Sequence, residues 1–296
     1  SATFPHPPAP LAEGCAAGEA AVPAEGADDR PSRRPPPMDA TRAQLRSLGL
    51  PGSDPAPLPT SDRRFPDGAH FRIEIPSTEG PRALRAVIET AERLRVPVPR
   101  VSQGSGIMLL TDDEIREMLR IGRDHGIEVS LFVGPRAAWD VGGQVRAPAG
   151  AGMAGQLRGA DQLVYAIEDL KRGCELGLRG CLIADPGLLS VVAALKREGH
   201  LPSRLVVKTS ILLPTPNPAT ARLWEQLGAD TLDLAVDLTL AQIAAIRQAT
   251  TVPLDVYVEA PDPFGGMVRH YENAELVRVA APVYVKLGLR NAPDLY

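Results

Sequence analysis

Cysteine is almost missing: the chain of 296 residues has three, Cys15, Cys174 and Cys181. No two of them have the short spacing of a zinc knuckle or a redox dithiol, so a reduced compartment is the simplest expectation. Histidine is equally sparse at five, and only His270 falls near the site argued below, which speaks against a histidine-based metal centre. Long apolar runs are absent too. None approaches the roughly 20 residues that a membrane helix needs, and the N-terminus lacks a basic segment followed by an apolar one, so no membrane is expected and the protein reads as cytoplasmic. Nor is one sign of charge in excess, with 32 Lys and Arg against 36 Asp and Glu, a net charge of -4 and a pI near 5.8. A basic, aromatic-rich strand pattern is also lacking, so nucleic acid is not an expected partner.

What is present is aliphatic bulk. Hydrophobic residues make up 44%, enough for a full core in one large α/β barrel or two ordinary domains. Residues 1–37 are Ala, Pro, Gly and acid with almost no aliphatic side chains, a composition that reads as a disordered tail. Met38-Asp39-Ala40-Thr41 looks like a natural start, and Ala43, Leu45 and Leu48 give a helical pattern that Gly49 can stop. A Pro-rich linker from Pro51 to Pro66 completes this N-terminal segment (38–66).

From 67 to 296 short β-branched runs alternate with amphipathic helices, the signature of a parallel sheet. Strands are expected at His70–Ile75, Val98–Ser102, Ile127–Val133, Gly180–Ala184, Leu205–Ser210, Thr231–Val236, Leu254–Glu259 and Val283–Leu287. Helices are expected to begin near Gly80, Thr111, Asp161, Leu188, Asn217, Thr239 and Asn273. Thr111 with Glu114 makes a capping box. Eight strands give an α/β fold of the (β/α)8, TIM-barrel-like type. After the eighth strand too few residues remain for a closing helix. The Met38–Leu48 helix or a partner subunit is then expected to cover the bare flank, which makes a homo-oligomer one expectation.

Side chains alternate across a strand, so each run divides into two faces. The polar sets are Arg72 with Glu74, Arg100 with Ser102, Glu128 with Ser130, Lys208 with Ser210, Asp233 with Asp237, Tyr257 with Glu259, and Tyr284 with Lys286. All are expected to point to the barrel axis. Buried charges persist only when paired or functional, so such an axis implies a networked site. Its acids outnumber its bases, which suits a divalent cation such as Mg²⁺ or an amine-bearing substrate.

Catalytic candidates are Glu259 and Asp185 as acid and base, Lys208 as an imine-forming or basic lysine set in an apolar strand, and Lys286. Asp185, Asp237 and Glu259 are the candidate metal ligands. Asp185 precedes Pro186-Gly187, so a helix-capping role competes for it. The substrate-binding candidates are Glu74, Arg72, Arg100, Gln103, Arg136, Ser210, Asp237 and Arg290. Gln103-Gly104-Ser105-Gly106 reads either as a ligand-facing loop or as an ordinary turn. The Gly-rich stretch from Gly134 to Gly159, with Arg136, Trp139, Asp140, Arg146 and Arg158, reads as a lid or binding loop.

Several motifs of the second half occur in a familiar order. They are Ala184-Asp185-Pro186-Gly187, Lys208-Thr209-Ser210, Asn217 with Ala221, Leu227-Gly228-Ala229, Leu238-Thr239-Leu240-Ala241-Gln242-Ile243 and Val256-Tyr257-Val258-Glu259. This order resembles the U32 family, the collagenase-like peptidases. The resemblance implies a barrel enzyme with hydrolysis of a small polar or peptide-like substrate as its nominal reaction. Where that family has a Val-His-Gly-Ala-x-Cys segment and further cysteines, this chain has Val258-Glu259-Ala260-Pro261-Asp262-Pro263. No iron–sulfur cluster is therefore expected. Two other functions stay open: a lyase or isomerase working through Lys208, and a non-catalytic scaffold that binds through the Gly134–Gly159 loop.

Overall fold

The computed structural model describes residues 38–137 and 142–288. The expected tail 1–37, Trp139 and Asp140 of the long loop, and Arg290 lie outside the described residues. The strands are β1 (Phe71–Ile75), β2 (Arg100–Gln103), β3 (Glu128–Phe132), β4 (Gly180–Ile183), β5 (Val206–Thr209), β6 (Leu232–Asp233), β7 (Leu254–Glu259) and β8 (Val283–Leu287). They form one parallel sheet in the order β5-β4-β3-β2-β1-β8-β7-β6. A parallel bridge between Lys208 and Thr231 joins its two ends, so the barrel closes.

The helices around it are α1 (Met38–Ser47), α2 (Pro81–Leu94), α3 (Asp112–His125), α4 (Gly143–Arg146), α5 (Gly159–Glu175), α6 (Pro186–Arg197), α7 (Pro218–Gln226), α8 (Leu240–Ala249) and α9 (Asn273–Ala280). Local chemistry sets where they start. Thr111 and Thr239 both make full capping boxes, Asn217 caps α7 with its side chain, and prolines open α2, α6 and α7. Gly126 ends α3 in the left-handed region at φ 67, where a side chain would be strained.

The strand residues facing the helices are the apolar set the alternation gives. Val101, Val129, Leu131, Cys181, Ile183, Val207, Leu232, Val256, Val258 and Val283 are buried there against Ile115, Leu170, Leu189, Ile243 and Leu276 of the helices. Truncating any large member to alanine costs about 2–5 kcal/mol.

α1 does not cover the flank of β1 and β8. The Leu48 carbonyl at its end accepts from Arg222 of α7 at 2.6 Å, and the Gly49 carbonyl accepts from the same guanidinium. α1 itself buries no residue. The linker docks instead on α9, where the Arg278 guanidinium donates to Thr60 at 2.8 Å. No helix follows β8 among the described residues. Ile73, Ile75 and Leu287 there face an almost wholly apolar groove of about 470 Å³, completed by Val87, Leu94 and Val98.

The Gly134–Gly159 stretch is not structureless. It holds α4 and a 3-10 turn at Pro148–Met153. Its start is pinned from α5: buried Asp169 accepts from the Gly134 N–H at 3.2 Å. Burial pushes the Asp169 pKa up to about 6, against the pull of Arg172. The folded protein therefore binds a proton at Asp169 that the unfolded chain has released, and this group's contribution to stability falls as pH rises from about 4 through about 6. Asp169→Asn lacks this titration, so its stability relative to the native protein is expected to rise across that interval in urea titrations. A difference that stays constant with pH would contradict the assignment.

Candidate active site

The register of the parallel ladders places one set of side chains inside the barrel. Arg72 pairs across strands with Tyr284, Glu74 with both Arg100 and Lys286, Arg100 with Glu128, Asp233 with Asp255, and Asp255 with Tyr284. Glu74 is its hub and is fully buried. Its carboxylate accepts from Arg100 Nε at 2.7 Å, Ser102 Oγ at 2.7 Å and Lys208 Nζ at 2.5 Å, with Lys286 Nζ 3.7 Å away. Asp255 takes Arg100 Nη2 at 2.5 Å, Lys208 Nζ at 3.0 Å and the Thr231 hydroxyl at 3.1 Å. The Arg100 guanidinium carbon also sits 3.2 Å from the centre of the Tyr284 ring. Three cations thus face Glu74, Asp255, Asp233 and the half-buried Glu128, whose Oε1 lies 3.8 Å from Arg100.

The electrostatics follow from that count. Burial drives the Glu74 pKa up, but Arg100, Lys208 and Lys286 outweigh it and hold the carboxyl well below its usual range. Burial also works against the Lys286 ammonium, yet Asp233, Tyr257 and Glu74 raise its pKa well above normal. Lys208 goes the other way, lowered by burial and by Arg100 despite its two carboxylates. The surplus acid is expressed at Glu128, which burial raises, and at Asp233, which burial pushes up to about 6 against Lys286 and Lys208.

Above this network, at the C-terminal ends of the strands, is a cavity of about 360 Å³. Its polar lining comes from Ser102, Gln103, Arg136, Ser210, Asp233, Tyr257 and Lys286, and its apolar lining includes Phe132, Leu182, Leu212 and Phe264. Lys286 Nζ donates to Asp233 Oδ2 at 2.5 Å and lies 4.0 Å from the centre of the Tyr257 ring. Asp233 Oδ1 is buried without a hydrogen-bond partner among the described residues. The Arg136 guanidinium carbon lies 3.8 Å from the centre of the Phe132 ring. Glu74, Arg100, Lys208 and Asp255 are at most 1% exposed and do not line the cavity, so they lie beneath it.

The candidates from the sequence therefore divide. Lys286, Gln103, Arg136 and Ser210 meet at the mouth, with Glu74, Arg100 and Lys208 in the layer below. Arg72 belongs to the opposite end, where it binds Asp67 at 2.9 Å and covers the Phe65 ring. Asp185 is spent on capping: Oδ1 accepts from the Leu188 N–H at 2.8 Å and Oδ2 from the Leu157 N–H at 3.1 Å. Asp237 is not an axis residue. β6 ends at Asp233, because the next residues leave β7 and bridge Thr215, and Asp237 comes out exposed.

Glu259 departs from the inward set for a different reason. A bulge between Tyr257 and Glu259 pairs Glu259 with Leu287, one position after Lys286, and its carboxylate lies 3.8 Å from His270. Asp185, Asp237 and Glu259 thus do not converge, and among the described residues no group of three or more His, Cys, Asp or Glu could hold a metal ion. The backbone N–H groups of Gly104 and Ser105 are taken by Glu79 at 3.0 Å each, and the loop they belong to is a closed turn.

Two groups escaped the sequence reading. Asp255 sits two residues before Tyr257, on the face already assigned to the axis, so the same alternation carried one step back finds it. Thr231 opens the expected sixth strand and likewise shares a face with Asp233.

The architecture and its charged axis define a TIM-type (β/α)8 barrel with a polar site at the C-terminal end of its strands. Residues 156–265, from just before α5 to just beyond β7, match the model of peptidase family U32, so the resemblance read from Gly180 to Glu259 holds over that segment. A curated protein of Escherichia coli K12 called tRNA hydroxylation protein P is 32% identical over 93 residues, 31% of this chain. The match spans about a fifth of that relative's length, 19%. Among solved structures, a U32 peptidase aligns with a TM-score of 0.47 at 17% identity, over 75% of this chain and 94% of its own. The YdjI aldolase of E. coli K12 aligns with a TM-score of 0.47 at 14% identity, over 75% and 76%. No helix among the described residues is long and apolar enough to cross a membrane.

Proposed function

We propose that this chain is a barrel enzyme that runs acid–base chemistry on a small polar or peptide-like substrate in the mouth cavity, with hydrolysis as its nominal reaction. The observation that carries the reading is the Asp233–Lys286 pair, two residues that line the cavity, with one Asp233 oxygen held by the ammonium and the other buried without a hydrogen-bond partner among the described residues. In the hydrolytic step Asp233 takes a proton from water as the water oxygen attacks the carbonyl carbon. The Lys286 ammonium stabilises the negative charge that collects on the carbonyl oxygen, and Asp233 returns the proton to the leaving group as the carbon–nitrogen or carbon–oxygen bond breaks. A pKa near 6 suits a base that must be ionised and still reprotonate easily at neutral pH.

Supporting this over an imine mechanism is the state of the two lysines. Lys286 is held as an ammonium and is a poor nucleophile. Lys208 has the lowered pKa that an imine-former needs, but it is fully buried between Glu74 and Asp255 below the cavity lining. Borohydride treatment with substrate is expected to leave no adduct on Lys208. The net charge of -4 gives no general attraction to a polyanion, so the tRNA of the relative's name is no part of the reading.

The test is a screen of short peptides, amides and esters followed by a pH profile. With Asp233 as base, kcat/KM is expected to rise with unit slope through about pH 6 and then level off. A flat profile from about pH 5 to 8 would contradict the assignment.

A further inference from the structure

We propose that the chain forms a two-fold dimer in which α1 of each copy lies in the apolar groove on the β1 and β8 flank of the other, where a barrel helix following β8 would sit. The groove shares no residue with the mouth cavity, so the proposal does not depend on the reaction assigned there.

Within its own chain α1 is a helix without a core. Met38, Thr41, Leu45 and Leu48 fall at the alternating three- and four-residue spacing that makes one helix face. Yet α1 buries no residue, and Met38, Leu45 and Leu48 are 74%, 37% and 67% exposed. A ten-residue helix is marginal until such a face is covered. The groove has the opposite need. Ile73, Ile75, Val98 and Leu287 line its strand side and Val87 and Leu94 its α2 side, around about 470 Å³, and Leu94 is 59% exposed. Val87 to Leu94 and Thr41 to Leu48 each cover two helical turns, about 10 Å, so the apolar face and the groove agree in length.

The helix comes from a second copy because its own barrel holds it elsewhere. Arg222 of α7 binds the Leu48 and Gly49 carbonyls, and α8 and α9 stand between α7 and the groove. Charge sets the direction. Asp39 and Arg46 are exposed and two turns apart on α1, as are Arg82 and Glu89 on α2. Laid parallel to α2, α1 brings Asp39 to Arg82 and Arg46 to Glu89, whereas the antiparallel placement would oppose like charges. The Arg42 guanidinium, 4.0 Å from Asp39 in its own chain, is no obstacle to that contact. Each aliphatic side chain that becomes buried withdraws roughly 60–120 Å² of apolar surface. Two reciprocal contacts then cover on the order of 1,000–1,500 Å², close to what a stable dimer needs. A two-fold axis closes the assembly at two copies.

The test is sedimentation velocity on the full chain, which is expected to be a dimer at about 50 μM. Leu45→Glu on α1 and Leu94→Glu in the groove are each expected to weaken association about 100-fold or more and to give monomer. Both side chains are exposed in the single chain, and unchanged far-ultraviolet circular dichroism confirms that the variants fold. Arg46→Glu and Glu89→Arg are each expected to weaken the dimer about 3- to 10-fold, and the double variant to restore it. A chain that stays monomeric at about 100 μM overturns the inference. So does a dimer that survives Leu45→Glu, because another face then makes it, and so does a double variant no tighter than the single ones. A dimer broken by Leu94→Glu alone would mean groove against groove. A monomer whose melting temperature falls with Leu94→Glu would assign the groove to residues 289–296 of the same chain, and either result also overturns the inference.

Discussion

Glu74→Gln is expected to lower the unfolding free energy by about 3–5 kcal/mol. The substitution keeps the shape of the side chain and removes its charge. In the native barrel that charge faces Arg100, Lys208 and Lys286 at once, with no exposure to water for any of the four groups beyond 1%. Asp255 still holds Arg100 and Lys208 after the change, but Arg100, Lys208 and Lys286 lose the one carboxylate that faces all three in a low-dielectric interior. Replacing the whole set with apolar residues is a different experiment, since such swaps are often neutral or stabilising. Breaking one member is not. Urea titrations of variant and native protein, compared at unchanged m value, give the difference directly. A loss below about 1 kcal/mol would mean that the four charges do not meet as described.

Asp233→Asn carries the largest expected effect on catalysis, a fall in kcat of about 10²–10⁴. The asparagine carbonyl can still accept from Lys286, so the ammonium keeps a partner. What disappears is a group that can take up and return a proton. The pH limb near 6 should vanish with it, because that limb belongs to Asp233. Turnover within about tenfold of the native protein, with the limb retained, would place the base elsewhere. Should neither Asp233→Asn nor Lys286→Met alter any turnover, the cavity serves binding alone.

The reach of the sequence can be judged from individual residues. The eight strands and the seven helices between them lay where β-branched runs and capping residues put them, because both signals are local. Thr111 with Glu114 and Gly126 mark the two ends of α3 without any tertiary knowledge. The inward set was equally legible wherever a strand ran regularly: Glu74, Arg100, Lys208 and Lys286 follow from period two alone.

The alternation failed where the backbone departed from it. β6 is two residues long, and Thr215 captures the chain after it, so extrapolating from Asp233 to Asp237 left the sheet. A bulge moved Glu259 off the inward face while Tyr257 stayed on it. Neither event has a local sequence signature, since each depends on what the neighbouring strand offers. Asp185 shows the converse: Pro186-Gly187 announced its capping role, and local chemistry decided its fate. The choice between Lys208 and Lys286 also lay beyond the sequence. Both stand in apolar strands, and only depth along the axis separates the lysine clasped beneath the cavity from the one that lines it.

The most direct measurement is a crystal structure of the protein with an inert analogue of whichever substrate the screen identifies. The account requires the ligand in the mouth cavity, with a donor within hydrogen-bonding distance of Asp233 Oδ1 and within reach of the Lys286 ammonium. A ligand seated instead in the surface cleft between Pro55, Asp237 and Tyr271, or at the far end of the barrel beside Arg72 and Asp67, would show that the buried charges only hold the barrel together.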